Sequence, residues 1–215
     1  LASLQGIAEE IVVVDSHSTD RTKEICSQYE NVNFISTDWK GFSDTKNYGN
    51  DIAKHSWIIS LDSDEELSKE LKTNIASLEL KEENAYEFNR LTNYCGKWIK
   101  HCGWYPDKKL RLFKKGEGKW GGKNPHDKYL LNQPGDEIHL KGDLLHYTFY
   151  HVSEHRAQII KFTDIAAQSL FELGKKSNWF KIIGKSIFKF IRNYILKRGF
   201  LDGITGFHIC RLSAH

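Results

Sequence analysis

The sequence lacks several features that would place it in a familiar class. Its 215 residues, beginning at Leu1, include no methionine, so we expect the natural start to be missing. The four cysteines are Cys26, Cys95, Cys102 and Cys210. They lack the paired C-x-x-C spacing of zinc sites, and their spread does not favour a disulfide scaffold, so reduced thiols in a cytosolic protein are expected. No signal peptide is visible, and no apolar run is long enough to span a bilayer.

Acidic residues are missing from one stretch near the end of the chain. None occurs between Glu172 and Asp202, where eight basic residues fall. These are Lys175, Lys176, Lys181, Lys185, Lys189, Arg192, Lys197 and Arg198. The net charge of +3 is too small to indicate nucleic acid, and we expect no nucleic-acid partner.

Apolar residues in the same stretch, from Trp179 to Ile195, follow helical spacing. A basic, aromatic amphipathic helix of this kind can lie in the interface of an anionic membrane. The alternative is a helix packed on the rest of the protein, with its lysines merely solvated.

Strand and helix patterns alternate through the first 80 residues. Branched apolar runs predict strands at 10–15, 32–35 and 57–61, and periodic segments predict helices after Asp20, at 43–55 and at 68–78. This alternation predicts a parallel sheet with right-handed crossovers.

The pattern changes after Glu83. Strands are predicted at 86–94, 109–114 and 137–149, separated by glycine-rich turns such as the one at 119–123. From Ser153 onward the pattern is helical. We therefore predict one α/β domain over residues 1–150 and a basic helical extension over 151–215.

The third predicted strand ends in a D-x-D pair, Asp62 and Asp64. Alternation in an extended segment points both carboxylates to one side, where they repel each other unless a cation lies between them. Mg²⁺ or Mn²⁺ is the natural cation, shared with substrate phosphates. The alternative is an acidic helix start, with Ser63 or Asp64 as the cap and Glu65 and Glu66 in the first turn.

Several motifs together resemble one enzyme family. Segments 12–20 (VVVDSHSTD) and 61–65 (LDSDE) are similar to the nucleotide-binding strand and the metal-binding D-x-D of family 2 glycosyltransferases, which have the GT-A fold. Segments 103–107 (GWYPD), 110–113 (LRLF) and 125–127 (PHD) resemble a narrower branch, the lipooligosaccharide β-1,4-glucosyltransferases of lipopolysaccharide core synthesis.

The resemblance implies a fold and a reaction. The fold is a Rossmann-like parallel sheet with helices on both faces, mixed acceptor-side strands and C-terminal helices, and its first strand is absent from this chain. The reaction is inverting transfer of a hexose, glucose from UDP-glucose, to a lipid-linked inner-core oligosaccharide. It would use Mg²⁺ or Mn²⁺ at the cytoplasmic face of the inner membrane.

The resemblance also implies which residues bind the donor. Asp15 would accept a hydrogen bond from uracil, the alternative being a cap on the following turn. Asp64 would bind the metal on the diphosphate, and Asp62 the ribose or the metal shell. Lys46 would contact the nucleotide, the alternative being a solvated lysine. His146 is a further metal candidate, the alternative being a structural histidine.

The acceptor side has its own candidates. Asp127, where the branch more often has glutamate, is the candidate general base for the acceptor hydroxyl. His126 would orient the acceptor, the alternative being an ordinary loop histidine. Arg111 alternates with Leu110 and Leu112 and would clamp phosphate or a sugar acid; its alternative is an ion pair with an acidic neighbour.

Other functions match the sequence less well. Residues 151–155 read H-x-x-E-H, as in some zinc proteases, but a helix capped by Ser153 leaves His151 outside it. D-x-D phosphatases have Thr or Val shortly after the second aspartate, whereas this chain has Glu65 and Glu66. A transferase with another donor and a polyprenyl-linked acceptor stays open, as does a membrane-binding module with a degenerate transferase fold.

Overall fold

A computed structural model of the chain describes residues 1–81, 84–122, 127–133 and 135–214. The chain forms two compact units. The first comprises Leu1–Asn89 and Lys108–Leu144, and the second comprises Arg90–Asp107 and Leu145–His215. The boundary predicted at residue 150 stays a prediction about domains.

Strands make up most of the first unit, and helices most of the second. The strands are β1 (Ile11–Asp15), β2 (Val32–Ser36), β3 (Trp57–Ile59), β4 (Glu65–Leu67), β5 (Asn84–Tyr94), β6 (Lys97–Ile99), β7 (Lys108–Lys114), β8 (Gly118–Gly121), β9 (Lys128–Leu131) and β10 (Asp136–Phe149). The α-helices are α1 (Thr22–Cys26), α2 (Phe42–Ile52), α3 (Lys69–Ala76), α4 (Val152–Glu172), α5 (Trp179–Ile191) and α6 (Gly203–Ala214).

The predicted parallel pairing holds for the first two strands. Strands β1 and β2 pair in parallel, with Asp15 opposite Ser36 at their carboxyl ends. Strand β3 instead pairs antiparallel with β7, at one edge of a six-stranded sheet ordered β3-β7-β5-β10-β4, with β6 on β5. The third predicted strand also ends two residues early, because beyond Ile59 the chain turns toward β4.

The segment after the D-x-D pair is a strand, so the predicted helix start there is wrong. Strand β4 holds Glu65 and Leu67, both buried. Helix α3 begins only at Lys69, and its cap is Ser68, whose hydroxyl accepts a 3.2 Å hydrogen bond from the Leu71 amide. Neither of the two residues predicted as caps, at 63 and 64, begins a helix. The glycine-rich turn predicted at 119–123 likewise overlaps a strand, β8, which pairs with β9.

The core of the first unit lies where α3 and the N-terminal 3₁₀ turn pack on the six-stranded sheet. Its buried side chains are Leu67, Leu71, Tyr86, Phe88, Leu112 and Leu144. A second cluster, formed by Ala85, Phe113, Trp120 and Tyr129, joins β5, β7, β8 and β9. This second cluster anchors the strands that carry the site described below.

The core of the second unit surrounds Tyr94. The residues buried with it are Ile99, Cys102, Phe149, Ile209 and Cys210. His155 is buried against this cluster, with Nδ1 3.0 Å from the Tyr94 hydroxyl, and burial lowers the pKa of its imidazole. None of the cysteines, which the structure describes in full, forms a disulfide.

Helix α4 begins at Val152, two residues earlier than a cap at Ser153 would place its start. Its N-cap is His151, and the Glu154 carboxylate accepts hydrogen bonds from the amides of Tyr150 and His151. The prediction of Ser153 as the cap is therefore wrong. The Glu154 side chain bonds the amides of Tyr150 and His151, and this contact sets the start of the helix at Val152. His151 still lies outside the helix, so the two histidines of the H-x-x-E-H pattern do not share one helical face.

The C-terminal helices of the second unit expose many apolar side chains. Helix α5 has no buried residue and is followed by a π-helical turn, Arg192–Leu196, a 3₁₀ turn, Gly199–Asp202, and helix α6. The exposed side chains on and just after α5 include Trp179, Phe180, Ile182, Ile183, Ile187, Phe188, Ile191, Ile195 and Leu196. Within the described ranges, no helix combines the length and the apolar character needed to cross a bilayer.

Candidate functional site

The D-x-D pair lies on a turn between β3 and β4. Asp62 and Glu65 close this turn, since the Glu65 amide donates to the Asp62 carbonyl oxygen and the Asp62 amide donates to Glu65 Oε2, both over 3.0 Å. The Asp62 side chain is 32% exposed and Asp64 is exposed. The extended alternation predicted for the pair is therefore replaced by a turn.

Arg111 reaches this turn from the neighbouring strand β7. Its Nη2 lies 2.9 Å from Asp62 Oδ2 and 2.9 Å from Glu65 Oε1, and only 4% of its side chain is exposed. The Arg111 carbonyl oxygen also accepts a 2.8 Å hydrogen bond from the Ser60 amide. Of the two roles considered for Arg111, the structure shows the ion pair with acidic neighbours.

Lys46 joins the turn to a third part of the chain. From α2, its Nζ lies 2.7 Å from Asp62 Oδ1 and 2.9 Å from Asp127 Oδ2. Only 16% of the Lys46 side chain is exposed, so the alternative of a solvated lysine is wrong. Lys46 thus brings together the first aspartate of the D-x-D pair and the candidate base.

Trp120 supports both cations of the site. Lys46 Nζ lies 4.3 Å from the centre of its indole and the Arg111 guanidinium carbon 5.2 Å, within the range of cation–π attraction. Trp120 is buried on β8, and its backbone is held by Asn47 of α2. The Asn47 amide oxygen accepts from the Trp120 N–H over 2.8 Å, and its nitrogen donates to the Trp120 carbonyl oxygen over 3.0 Å.

The electrostatics of the site favour charged groups. Partial burial opposes ionisation of Asp62, but Arg111 and then Lys46 outweigh it and lower the pKa of this carboxyl to about 2. Burial likewise opposes the charge on Arg111, yet Glu65 and Asp62 raise the pKa of its guanidinium. Asp62 and Arg111 are therefore both ionised at neutral pH.

Asp15 lies at the carboxyl end of β1. It is buried, and its Oδ2 accepts a 2.9 Å hydrogen bond from the Ser18 amide. This contact is the turn cap considered as the alternative for Asp15. A uracil contact through the same carboxylate stays a prediction.

The structure does not test the roles predicted for His146 and His126. His146 belongs to the second unit, where its Nδ1 lies 2.8 Å from the Thr148 hydroxyl. His126 lies outside the described residues, so its predicted role in orienting the acceptor stays a prediction. Asp64, the predicted metal ligand, is placed at the surface of the D-x-D turn.

Three residues of the cluster, Glu65, Trp120 and Asn47, are not predicted as site residues from the sequence. The sequence pattern assigns Glu65 to a helix start and Trp120 to a turn. One of these three, Asn47, could have been suspected from the sequence, because it directly follows Lys46, a predicted site residue.

The donor set for a divalent cation can be judged from the carboxylates present. Both oxygens of Asp62 are engaged by cations, so Asp62 fits poorly as a direct ligand in this arrangement. Asp64 presents an exposed carboxylate, the oxygen donor that Mg²⁺ and Mn²⁺ prefer. Across the parts of the chain that the structure describes, no three His, Cys, Asp or Glu side chains form a metal-holding group. Asp64 is the side chain that would hold a divalent cation here, together with oxygens of a bound ligand.

The cluster can perform two kinds of chemistry. Lys46 and Arg111 are already paired with carboxylates, and the exposed carboxylate of Asp64 on the turn beside them suits an anionic ligand that brings a shared metal ion. Asp127 supplies a carboxylate, 14% exposed, that can accept a proton. Together these features suit displacement of an anionic leaving group by a hydroxyl.

Comparisons with known proteins agree with this chemistry. Residues 1–129, more than half of the chain, match the sequence model of the family described as Glycosyl transferase family 2. The chain is 28% identical to an uncharacterized glycosyltransferase of Rickettsia bellii, over 95% of this chain and 73% of that protein. It is 24% identical to the lipopolysaccharide core biosynthesis glycosyltransferase LpsC of Rhizobium meliloti, over 96% of this chain and 78% of that protein.

Proposed function

Since the chain belongs to glycosyltransferase family 2 and so has the GT-A fold, we propose that it is an inverting hexosyltransferase of lipopolysaccharide core synthesis. The proposed donor is UDP-glucose, and the proposed acceptor is an inner-core sugar on a lipid-linked oligosaccharide. The observation that carries the proposal is the ion-pair chain from Asp127 through Lys46 to Asp62. It places a candidate base and the D-x-D turn at one site.

Asp127 is the proposed general base. It takes the proton of the acceptor hydroxyl as that oxygen forms a bond to the anomeric carbon. The bond from the anomeric carbon to the diphosphate breaks at the same time, and the electron pair leaves with UDP. Attack from the face opposite the leaving group inverts the anomeric centre. Lys46 holds Asp127 in place through its 2.9 Å ion pair.

The proposed donor site begins at the D-x-D turn. Asp62 is fixed by two cations and is proposed to bond the ribose, while Asp15, at the carboxyl end of β1, is proposed to bond uracil. A divalent cation held by Asp64 would supply positive charge to the departing diphosphate. In calorimetric titrations, Asp64→Ala should abolish any Mn²⁺-dependent part of UDP binding, and unchanged binding would remove the metal from this proposal.

A lipid-linked acceptor requires the enzyme to reach a membrane. The second unit exposes a large apolar surface on and after α5, interspersed with basic side chains and without an acidic one between Glu172 and Asp202. Contiguous exposed apolar side chains mark interaction sites, and the accompanying positive charge fits anionic lipid. We propose that the protein is peripheral at the cytoplasmic face of the inner membrane.

The decisive experiment combines binding and transfer. A panel of nucleotides and nucleotide sugars, with and without Mn²⁺, is screened by thermal shift, because a ligand of the folded state raises the melting temperature. UDP and UDP-glucose should give the largest shifts. Purified lipopolysaccharide with a truncated core should then accept labelled glucose in the presence of the protein.

Other results would point elsewhere. A larger shift with another nucleotide sugar, and transfer to a polyprenyl-linked acceptor, would keep the reaction class but replace both substrates. A protein that binds no nucleotide, yet binds anionic vesicles equally well after Asp64→Ala, would be a membrane-binding module rather than an enzyme.

A further inference from the structure

Glu65 is the most deeply buried charged group of the candidate site. None of its side chain is exposed, although it lies next to the exposed D-x-D turn. Its Oε1 accepts a 2.9 Å hydrogen bond from Arg111 Nη2, and its Oε2 accepts a 3.0 Å hydrogen bond from the Asp62 amide. A carboxylate is rarely buried so completely without a partner. These two hydrogen bonds compensate the cost of removing its charge from water.

The same contacts hold Asp62 from two directions. Glu65 fixes the backbone of Asp62 directly, and it fixes Arg111, whose Nη2 donates over 2.9 Å to Asp62 Oδ2. Arg111 has almost no exposed surface with which to meet a ligand, since only 4% of its side chain is exposed. The geometry therefore links the Glu65 side chain to Asp62 through one hydrogen bond from the Asp62 amide and one shared guanidinium nitrogen.

We propose that Glu65 and Arg111 are positioning residues that fix the Asp62 carboxylate for the donor and do not themselves bind it. This inference rests on the proposed function, in which Asp62 bonds the ribose. A carboxylate held in place before binding avoids the entropic cost of ordering it when the ligand arrives. Loss of Glu65 therefore weakens donor binding without removing any group that touches the donor.

The first test replaces Glu65 by Gln, which keeps its size but loses the charge that holds Arg111. UDP affinity, measured by calorimetry with Mn²⁺ present, should fall about 10- to 100-fold, the loss typical when a residue that orients a metal-site side chain is replaced. The KM for the donor should rise more than kcat falls. Glu65→Asp, which restores the charge on a shorter side chain, should recover part of the loss. Glu70→Gln, at an exposed glutamate on α3, is the matched control.

A double-mutant cycle separates positioning from general destabilisation. If Glu65 acts through Asp62, the substitution Glu65→Gln made in an Asp62→Asn background should change UDP affinity by less than about twofold. Equal losses in both backgrounds would overturn the proposal.

Arg111→Lys provides a second route if Glu65→Gln does not fold. Lysine keeps the charge, but its side chain is shorter and lacks the rigid planar fork of the guanidinium, so it should hold the two carboxylates of Asp62 and Glu65 less well. Made alone, Arg111→Lys should therefore lower UDP affinity relative to the wild type. Made in an Asp62→Asn background, it should leave UDP affinity the same as that of the Asp62→Asn variant. An Arg111→Lys protein that folds and binds UDP as tightly as the wild type would contradict the positioning role.

UDP binding by the wild-type protein shows whether a negative result refutes the proposed function or only the positioning role of Glu65 and Arg111. If the wild-type protein binds no nucleoside diphosphate, the proposed function fails, and the positioning role fails with it. If the wild type binds UDP and the Glu65 and Arg111 variants bind it equally well, only the positioning role is refuted.

Discussion

The ammonium group of Lys46 donates a 2.9 Å hydrogen bond to the Asp127 carboxylate, although 81 residues separate the two in sequence. The same ammonium lies 2.7 Å from Asp62 Oδ1, so one cation sets the spacing between the D-x-D turn and the candidate base. The centre of the Trp120 ring lies 4.3 Å from this ammonium, within the range of cation–π attraction. Lys46 therefore organises the proposed site rather than merely neutralising it.

The first prediction concerns the base. Asp127→Asn keeps the size of the side chain and a hydrogen-bond acceptor for Lys46, but the amide cannot take a proton from the acceptor. Glucosyl transfer should fall by about 10²- to 10⁴-fold, the usual contribution of a general base. UDP affinity should change little. A variant that binds donor normally and turns over within a few-fold of the wild type would place the base elsewhere.

The second prediction follows from the pKa of Asp62, which Arg111 and Lys46 hold at about 2. Because the folded pKa lies below the unfolded value, the carboxylate stabilises the fold above about pH 4, and that contribution is lost as pH falls through about 2. It is on the order of 2 kcal/mol at neutral pH. In urea titrations, Asp62→Asn should therefore cost about twice as much stability at pH 6 as at pH 3, where roughly half of the contribution remains.

The control for this titration is Asp51→Asn, at an exposed aspartate on α2. Its effect on the free energy of unfolding should be small at both pH values. A constant difference between Asp62→Asn and the wild type from pH 6 to pH 3 would mean that Asp62 is not held by its cations.

The sequence predicts some parts of this molecule much better than others. Strands β1, β2, β5, β7 and β10 follow from their apolar runs, and the resemblance names the aspartates of the site. The replacement of the helix start at Glu65 by β4 does not follow, because local capping preferences are overridden by pairing within the six-stranded sheet.

Long-range contacts explain the remaining errors. The partnership of Lys46 with Asp127, and that of Arg111 with Glu65, depend on which elements meet in space, and no local pattern encodes them. The glycines of β8 predict a turn, yet Trp120 is fixed there in a strand by a side chain from a distant helix. Sequence patterns identify the chemical groups, whereas the fold decides which of them are partners.

A third prediction tests that distant contact. Asn47→Ala removes two hydrogen bonds that hold the backbone of Trp120, and it leaves an N–H and a C=O without these partners. The free energy of unfolding should fall by roughly 2–4 kcal/mol, since each lost partner costs about 1–2 kcal/mol. Asn50→Ala, on the same helix, is the matched control. An equal, small effect of both substitutions would show that the contact does not fix β8.

The fourth prediction concerns His155 in the second unit, where burial lowers the pKa of the imidazole. The unfolded chain then binds a proton more readily than the folded one. The free energy of unfolding is unaffected by this histidine above pH 6.5, near the pKa of the unfolded imidazole. Below that pH it decreases as the pH falls, by up to about 1.4 kcal/mol per pH unit. His155→Gln, which can still bond the Tyr94 hydroxyl, should flatten this dependence between pH 7 and pH 5 in urea titrations. An unchanged slope would assign the acid sensitivity to other groups.

The last prediction concerns the exposed apolar and basic surface on α5 and the turn that follows. Each lysine or arginine near an anionic bilayer contributes on the order of 1 kcal/mol, and salt screens that attraction. Replacing Lys181, Lys185, Lys189 and Arg192 together by Gln should weaken binding to phosphatidylglycerol vesicles by up to about 10³-fold and leave UDP affinity unchanged. Flotation at low salt measures the difference. The matched control removes four exposed lysines of the first unit, at Lys23, Lys69, Lys81 and Lys141.

The apolar part of the same surface makes a separate contribution. Trp179 and Phe180, 77% and 89% exposed, should insert among lipid headgroups, and their burial does not depend on salt. Replacing both by Ala should therefore reduce the binding that persists at high salt, while the charge variant loses mainly the salt-sensitive part. If the wild type does not float with anionic vesicles at low salt, or if the charge variant floats as well as its control, α5 is not a membrane anchor.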